Sequence, residues 1–249
     1  MKVLYIIYTA AAVVLIVFAC NQGSTENIKE SQKYFNLGLS DLENENYYGA
    51  LKNLDKCVEL DPENYDAYYK RAQAKEGVDD LEGMISDLDK CIAINPNKLE
   101  AYHIRGNKRY LNKEYELAIQ DMQKCIELDP NELDEYHQLF KEIIAASQNE
   151  LKQYDKALIS YNKLIRDNPD NAGDYYNKRA GVKLELHDFE GALEDYSFSL
   201  RINPTPGVYL NRATTFLMIG MNNEACMDFE RAGELGDERA YELMGEYCN

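Results

Sequence analysis

The sequence predicts an all-α fold, a solenoid of about six helix–turn–helix units closed by a C-terminal helix. Three observations predict it. The stretch Leu99–Glu132 matches the chain around it repeatedly at a step of 34 residues. Pro62, Pro96 and Pro130 fall at that step, each closing a phrase of the type Glu-Leu-Asp-Pro or Ala-Ile-Asn-Pro. Within most steps an aromatic residue, a small residue four positions on and a second small residue in the following helix recur. Units of this kind stack and bury one continuous core that has no single centre.

The N-terminus comes first. Met1-Lys2 is a short basic start, Val3 to Phe18 is free of charge, Pro and Gly, and Ala19-Cys20 precedes a polar stretch. That order is a secretory signal. With Cys at the boundary, Val17-Phe18-Ala19-Cys20 resembles a bacterial lipoprotein signal, although Phe18 is bulkier than is usual there. The resemblance implies a lipidated Cys20 after removal of residues 1–19, with acyl chains on the sulfur and on the new amine, enough to hold a protein at a membrane. A plain secretory signal or an uncleaved anchor is the alternative; the apolar run is at the short limit for a span. Residues 20–30 then form a polar tether, about 18 Å end to end if flexible.

The units follow at 31–64, 65–98, 99–132, 133–171, 172–205 and 206–237. Pro ends the second helix of the first five units because it lacks an N–H and restrains the residue before it. The small residue of the first helix is Gly38, Ala72, Gly106, Ala180 or Ala213, and that of the second is Ala50, Ala118, Ala157, Ala192 or Ala225, with Met84 the exception. Two helices approach closely where such residues face each other. Tyr34, Tyr68, Tyr102, Tyr176 and Tyr209 form a stripe best read as core packing. The fourth unit carries five extra residues, placed by this reading around Ile143–Glu150.

These residues resemble the tetratricopeptide repeat family, from residue 31 to residue 237. The resemblance implies a right-handed superhelix whose concave face is lined by first helices. It departs from the family in the fourth unit and at Gly236-Asp237, where the last unit lacks its Pro.

Arg71, Arg105, Arg179 and Arg212 precede the first small residue, and Asp87, Asp121, Asp195 and Asp228 follow them by 16. The two units without the Arg have Leu37 and Ile144 there, and Asn53 and Ser160 in place of the Asp. The matched presence predicts a structural ion pair between the helices of a repeat; shared descent of the repeats is the other reading.

Cys57, Cys91 and Cys125 lie 34 apart at one core position. Equivalent positions of stacked units are too far apart for a disulfide, so these read as small buried hydrophobes. Cys226 lies in the last second helix and Cys248 in a capping helix within 238–249, whose apolar positions are Ala240, Tyr241, Leu243, Met244 and Tyr247. A disulfide stapling the cap and a pair of free thiols both stand open.

The chemistry-bearing motifs are thin. The net charge is −17, and backbone binding of nucleic acid needs clustered cations, so nucleic acid is not expected. No phosphate loop, zinc motif or supported catalytic triad is present. No enzyme, cofactor, metal or small-molecule substrate is expected. His103 and His137 are read as equivalent groove positions one unit apart. The expected protein-binding groove uses positions four and seven residues along a first helix: Tyr69, Gln73 and Glu76; His103, Asn107 and Tyr110; Asn177, Gly181 and Leu184. Neutral hydrogen-bonders suit an extended peptide or a helix of a protein partner. A basic clamp for a C-terminal carboxylate is not expected, because Phe35, Leu39 and His103 stand where cations would be required. Fold and anchor together resemble envelope adaptors that assist outer-membrane or pilus assembly. The expectation is therefore a lipid-anchored scaffold of the cell envelope, with the outer membrane favoured and a structural or self-associating role as the alternative.

Overall fold

The computed structural model describes residues 25–130 and 135–248. The expected signal and Cys20 lie outside them. Among the described residues there are thirteen α-helices and no strand: α1 (25–43), α2 (Tyr47–Leu60), α3 (Tyr65–Glu76), α4 (Leu81–Ile94), α5 (Leu99–Leu111), α6 (Tyr115–Leu128), α7 (Glu135–Glu150), α8 (Tyr154–Asp167), α9 (Ala172–Glu185), α10 (Phe189–Ile202), α11 (Pro206–Met218), α12 (Asn222–Glu234) and α13 (Glu238–Tyr247). No helix among them is long and apolar enough to cross a membrane. The chain divides into two compact units, Met1–Arg105 and Gly106–Asn249.

One turn recurs between the first and second helix of every repeat. Glu45, Asp79, Lys113, Lys152, His187 and Gly220 all take a left-handed backbone, with φ between 55° and 78°. The residue after each donates its N–H to the carbonyl five positions back, as Asn46 does to Asp41 and Asp188 does to Lys183. The left-handed residue itself donates three positions back, as His187 does to Leu184. These are the two bonds of a Schellman ending, which satisfies the orphan carbonyls of the first helix. The same residue that ends one helix starts the next. Asn46, Asp80 and Asp188 accept from the backbone N–H of Gly49, Gly83 and Gly191, whereas Glu114, Gln153 and Met221 make no such bond. At the other end of the repeat Asn95, Asp129 and Asn203 are extended, the conformation that the Pro after each imposes.

In the first unit α3 packs between α2 and α4. Its core holds Cys57, Tyr68, Ala72, Met84, Leu88 and Cys91. A Cβ on Gly38 would stand 2.7 Å from Leu54, so glycine lets α1 and α2 close. In the second unit neighbours in sequence pack from α6 to α13. Ala118, Ala157, Ala192 and Ala225 are all fully buried, which is the close approach that small residues permit.

Two features of the fourth repeat differ from the sequence reading. Ala145 is the buried small residue of α7, and it precedes the left-handed Lys152 by seven, as Gly106 precedes Lys113. The five extra residues therefore precede Ile143 rather than occupy Ile143–Glu150. His137 is then no counterpart of His103: it is 2% exposed, beside Phe140, and does not face a groove.

The cap forms as α13 against α12. Leu243 and Met244 pack on the core of the last repeat, and Ala240 is buried. Tyr241 and Tyr247 are more exposed than their apolar positions suggested. The Tyr241 ring lies where a Cβ on Gly233 would be, 2.6 Å away. Cys226 and Cys248 are joined by a disulfide, with Cα atoms 5.7 Å apart.

Candidate protein-binding groove

The ion-paired framework positions the candidate surface. Arg71 Nε lies 2.8 Å from Asp87 Oδ2 and Nη2 lies 2.5 Å from Oδ1. Arg179 forks onto Asp195 at 2.7 and 2.6 Å, and Arg212 onto Asp228 at 2.7 Å on both arms. The two-pronged geometry matches guanidinium to carboxylate. Asp87 and Asp195 are 2% and 1% exposed. The bonds from Asp195 and Asp228 outweigh burial and raise the pKa values of Arg179 and Arg212. Arg105 lies in the first unit, where it bonds Asp89. Asp121 lies in the second, where it accepts from Arg109 at 2.8 Å.

Two parts of this framework were not read from the sequence. A second cation sits one helical turn after the arginine: Lys75 at 2.9 Å from Asp87, Lys183 at 3.0 Å from Asp195, and Arg109 on Asp121. The spacing of four carried that signal. The remaining Nη1 of each arginine also reaches back into the preceding repeat, to Asp55, Asp89, Asn162 and Ser197. Each arginine rests over the tyrosine three positions before it, at 5.1–5.8 Å. In the two repeats without the arginine the same places pair differently: Asn53 donates to Asp41 and Ser160 to Gln148, both at 2.7 Å.

The predicted groove positions stand beside this framework. In the first unit Tyr69 is half-buried and stacks on Tyr65 at 6.1 Å, and burial raises its pKa. Gln73 accepts from Lys70, and Glu76 is exposed. His103 is half-buried, and burial lowers its pKa. In the second unit Tyr110 lies against Tyr115 at 5.8 Å, and Asn107 is half-buried. On α9, Asn177 accepts from Asn211 at 3.2 Å, Gly181 faces open space, and Leu184 borders the core of its repeat. Tyr69, Gln73 and Glu76 thus share α3, and Asn177, Gly181 and Leu184 share α9. The corrected register adds Glu142, 39 residues after His103. Glu142 accepts the hydroxyl of Tyr175, a phenol whose pKa is raised by burial and by that bond.

Little here is poised for chemistry. Burial pushes the Cys91 and Cys125 thiols up to about 12, so they stay protonated and unreactive. Among the described residues no three His, Cys, Asp or Glu side chains converge to hold a metal.

Two family models, both described as tetratricopeptide repeat, match residues 22–64, 65–98 and 99–132, and residues 143–171, together more than half of the chain. The chain is a tetratricopeptide-repeat protein. Residues 172–205 and 206–237 carry the same left-handed turn and Arg–Asp fork. Tetratricopeptide repeat protein 36 of Danio rerio is 33% identical over 104 residues, which are 40% of this chain and 55% of that protein. The chain thus spans about half the length of that curated relative. YrrB, described as a tetratricopeptide-repeat protein with an unusual peptide-binding site, aligns with a TM-score of 0.58 at 15% identity, over 78% of this chain and 97% of its own. PilF of Pseudomonas aeruginosa aligns with a TM-score of 0.58 at 18% identity, over 89% and 99%. At such identities these solved structures show the fold alone: the all-α solenoid class of tetratricopeptide repeats. Tetratricopeptide-repeat proteins, the family that the family models show, are protein-interaction scaffolds.

Proposed function

We propose that this tetratricopeptide-repeat protein is a membrane-anchored adaptor of the bacterial cell envelope that binds a peptide or helix of a partner protein along its first helices and performs no reaction. One observation carries the reading. Most recurrent side chains of the first helices are consumed by packing or by the Arg–Asp framework, whereas Tyr69, Gln73 and Glu76 on α3, and Asn177 and Gly181 on α9, stay partly open. Amides, a phenol and a carboxylate at these spacings suit hydrogen bonding to a bound backbone. The peptide-binding site named for YrrB supports the same use of the fold. The anchor reading rests on Cys20 and the apolar run before it.

The test places a photo-crosslinking residue at Tyr69 and at Asn177 in cells and identifies the adducts by mass spectrometry. A captured partner protein is expected at each site, and capture at Tyr69 should be lost on Gln73→Ala on the same helix. Adducts indistinguishable from those of an exposed control position would sink the groove reading. Mass spectrometry of the mature N-terminus tests the anchor: an acylated Cys20 is expected, and any other unlipidated start refutes it.

A self-associating role has its own support. The turn of the last repeat is apolar at three places, with Met218, Ile219 and Met221 exposed, where each other repeat has at most one apolar residue, Val78, Leu111, Leu151 or Leu186. Concentration-dependent sedimentation of the purified chain, abolished by Ile219→Glu, would favour that alternative.

A further inference from the structure

The fifth repeat breaks a pattern that the other five keep. Three positions after the Asp, Asn or Ser that faces the first helix, those repeats carry a cation: Lys56, Lys90, Lys124, Lys163 and Arg231. The fifth carries Phe198. In three of the others the cation pairs with a glutamate three residues on: Lys56 with Glu59 at 2.6 Å, Lys124 with Glu127 at 3.1 Å, Arg231 with Glu234 at 2.6 Å. In the fifth repeat both members are exchanged, the cation for Phe198 and the glutamate for Arg201. The Arg201 guanidinium lies 4.2 Å from the centre of the Phe198 ring, and Tyr176 stacks on that ring at 5.1 Å.

The exchange opens a trough. Phe198 is 41% exposed and lies, with Tyr209 and Leu193, in an open cavity of about 870 Å³ between α10 and the start of α11. Glu190, Glu194, Arg201 and Arg212 line the same cavity; Arg212 is committed to Asp228 and Arg201 lies over Phe198, which leaves the two glutamates to set the charge of their end. With Phe198 they follow one another at steps of four along α10, on one face. From Glu190 to Arg201 the stripe runs about 16 Å. Both glutamates are exposed. The trough is thus anionic at one end and aromatic in the middle.

We propose that it is a second binding site, for a partner protein segment that sets Lys or Arg against Glu190 and Glu194 and an aromatic or aliphatic side chain against Phe198 and Tyr209. The occupant follows from charge complementarity: two exposed carboxylates favour a cation at that end, and an aromatic anchor in a pocket is the usual centre of a hot spot. The site stands apart from the groove reading, since none of its lining residues is a groove position.

The test uses the full chain in detergent and two fluorescein-labelled synthetic helical peptides, read by anisotropy. One presents two Lys and a Phe along one face; the other has Glu for Lys. Wild type is expected to bind the Lys peptide and not the Glu peptide. Phe198→Lys with Arg201→Glu restores the ion pair of the other repeats, so helicity and melting should hold while affinity falls roughly tenfold or more. Glu190→Lys with Glu194→Lys should reverse the preference between the peptides. Asn177→Ala should leave binding unchanged, which separates this site from the groove. The proposal is overturned if wild type fails to bind the Lys peptide even at millimolar concentration, if the two peptides bind alike, or if the Phe198 variant binds as wild type does. It is also overturned if sedimentation shows that Phe198 mediates pairing of two copies instead.

Discussion

The fourth and fifth repeats build the same corner from different chemistry. Both end the first helix on a left-handed residue, Lys152 at φ 56° and His187 at φ 59°, and both close their helices over a buried pair of alanines, Ala145 with Ala157 and Ala180 with Ala192. The fifth then locks the pair with Arg179 and Lys183 on a buried Asp195. At the equivalent place the fourth has Ser160 donating to Gln148, and its helices share a looser ion pair elsewhere, Lys141 to Asp167 at 3.8 Å. The geometry of a repeat therefore comes from its small residues and its turn. The ionic lock adds something separate: Arg179 also reaches Asn162 of the preceding repeat, so it ties neighbour to neighbour as well as helix to helix.

The largest expected effect breaks that lock on one side only. Asp195→Ala leaves two cations, both mostly buried, without their carboxylate. Removing one member of such a group costs about 3–5 kcal/mol. Ser160→Ala in the fourth repeat should cost about 1 kcal/mol, the value of one neutral hydrogen bond. Importing the fourth-repeat set into the fifth, as Arg179→Ile, Lys183→Gln and Asp195→Ser together, should lie closer to wild type than Asp195→Ala alone, because no buried charge is left unpaired. Urea unfolding followed by circular dichroism measures all three. A triple variant less stable than Asp195→Ala would show that the lock itself, and not the unpaired cations, carries the stability.

The next effect is smaller and separates the same two repeats at their second helices. Asp188 caps α10 by accepting from Gly191, while Gln153 makes no cap bond to α8. Asp188→Ala should cost about 1 kcal/mol, and Gln153→Ala should fall within the noise of the same unfolding measurement. Glycine marks where the cap is available. A Cβ on Gly191 would stand 2.3 Å from the Asp188 carboxylate; the fourth repeat has Lys156 at that place.

How much of this the sequence disclosed depends on the range of the interaction. The step of 34, the buried small residues and the Arg–Asp spacing of 16 are fixed offsets along one helix pair, and they are legible in Arg71, Asp87, Ala72 and Leu88 without coordinates. The reach of Arg71 to Asp55 or of Arg212 to Ser197 joins different repeats and needs the packing to be seen. The fourth repeat is ambiguous in sequence for a helical reason. Leu139, Phe140, Ile143 and Ile144 are all apolar, so a slide of five residues, about one and a half turns, leaves an apolar face in either register. The left-handed Lys152 and the buried Ala145 decide it, for the register that the Ile144–Ser160 spacing implies and against the one that pairs His137 with His103. That decision moved His137 into the core and placed Glu142 at the position where His103 stands in the third repeat. The candidate groove was legible as positions on helices. What the sequence does not rank is which of those positions the framework leaves open, such as Gly181, and which it occupies, such as Leu184.

The smallest effect tests the feature the two repeats share. A left-handed backbone costs a residue with a Cβ about 1–2 kcal/mol, less for Asn and Asp, and five of the six turns carry that cost at Glu45, Asp79, Lys113, Lys152 and His187. Only the last repeat has glycine, at Gly220. Lys152→Gly and His187→Gly should each stabilise the chain, by up to about 1 kcal/mol, because relief of the strain exceeds the entropy that glycine loses on folding. The gains should be equal in the ionic repeat and the neutral one, since the Schellman bonds are the same in both: Gln153 to Gln148 at 2.8 Å and Asp188 to Lys183 at 2.9 Å. A gain at His187 without one at Lys152 would mean that the extra residues of α7 had altered the turn. A loss at both would mean that these side chains, and not the backbone, hold the corner, and the common geometry of the two repeats would need a different cause.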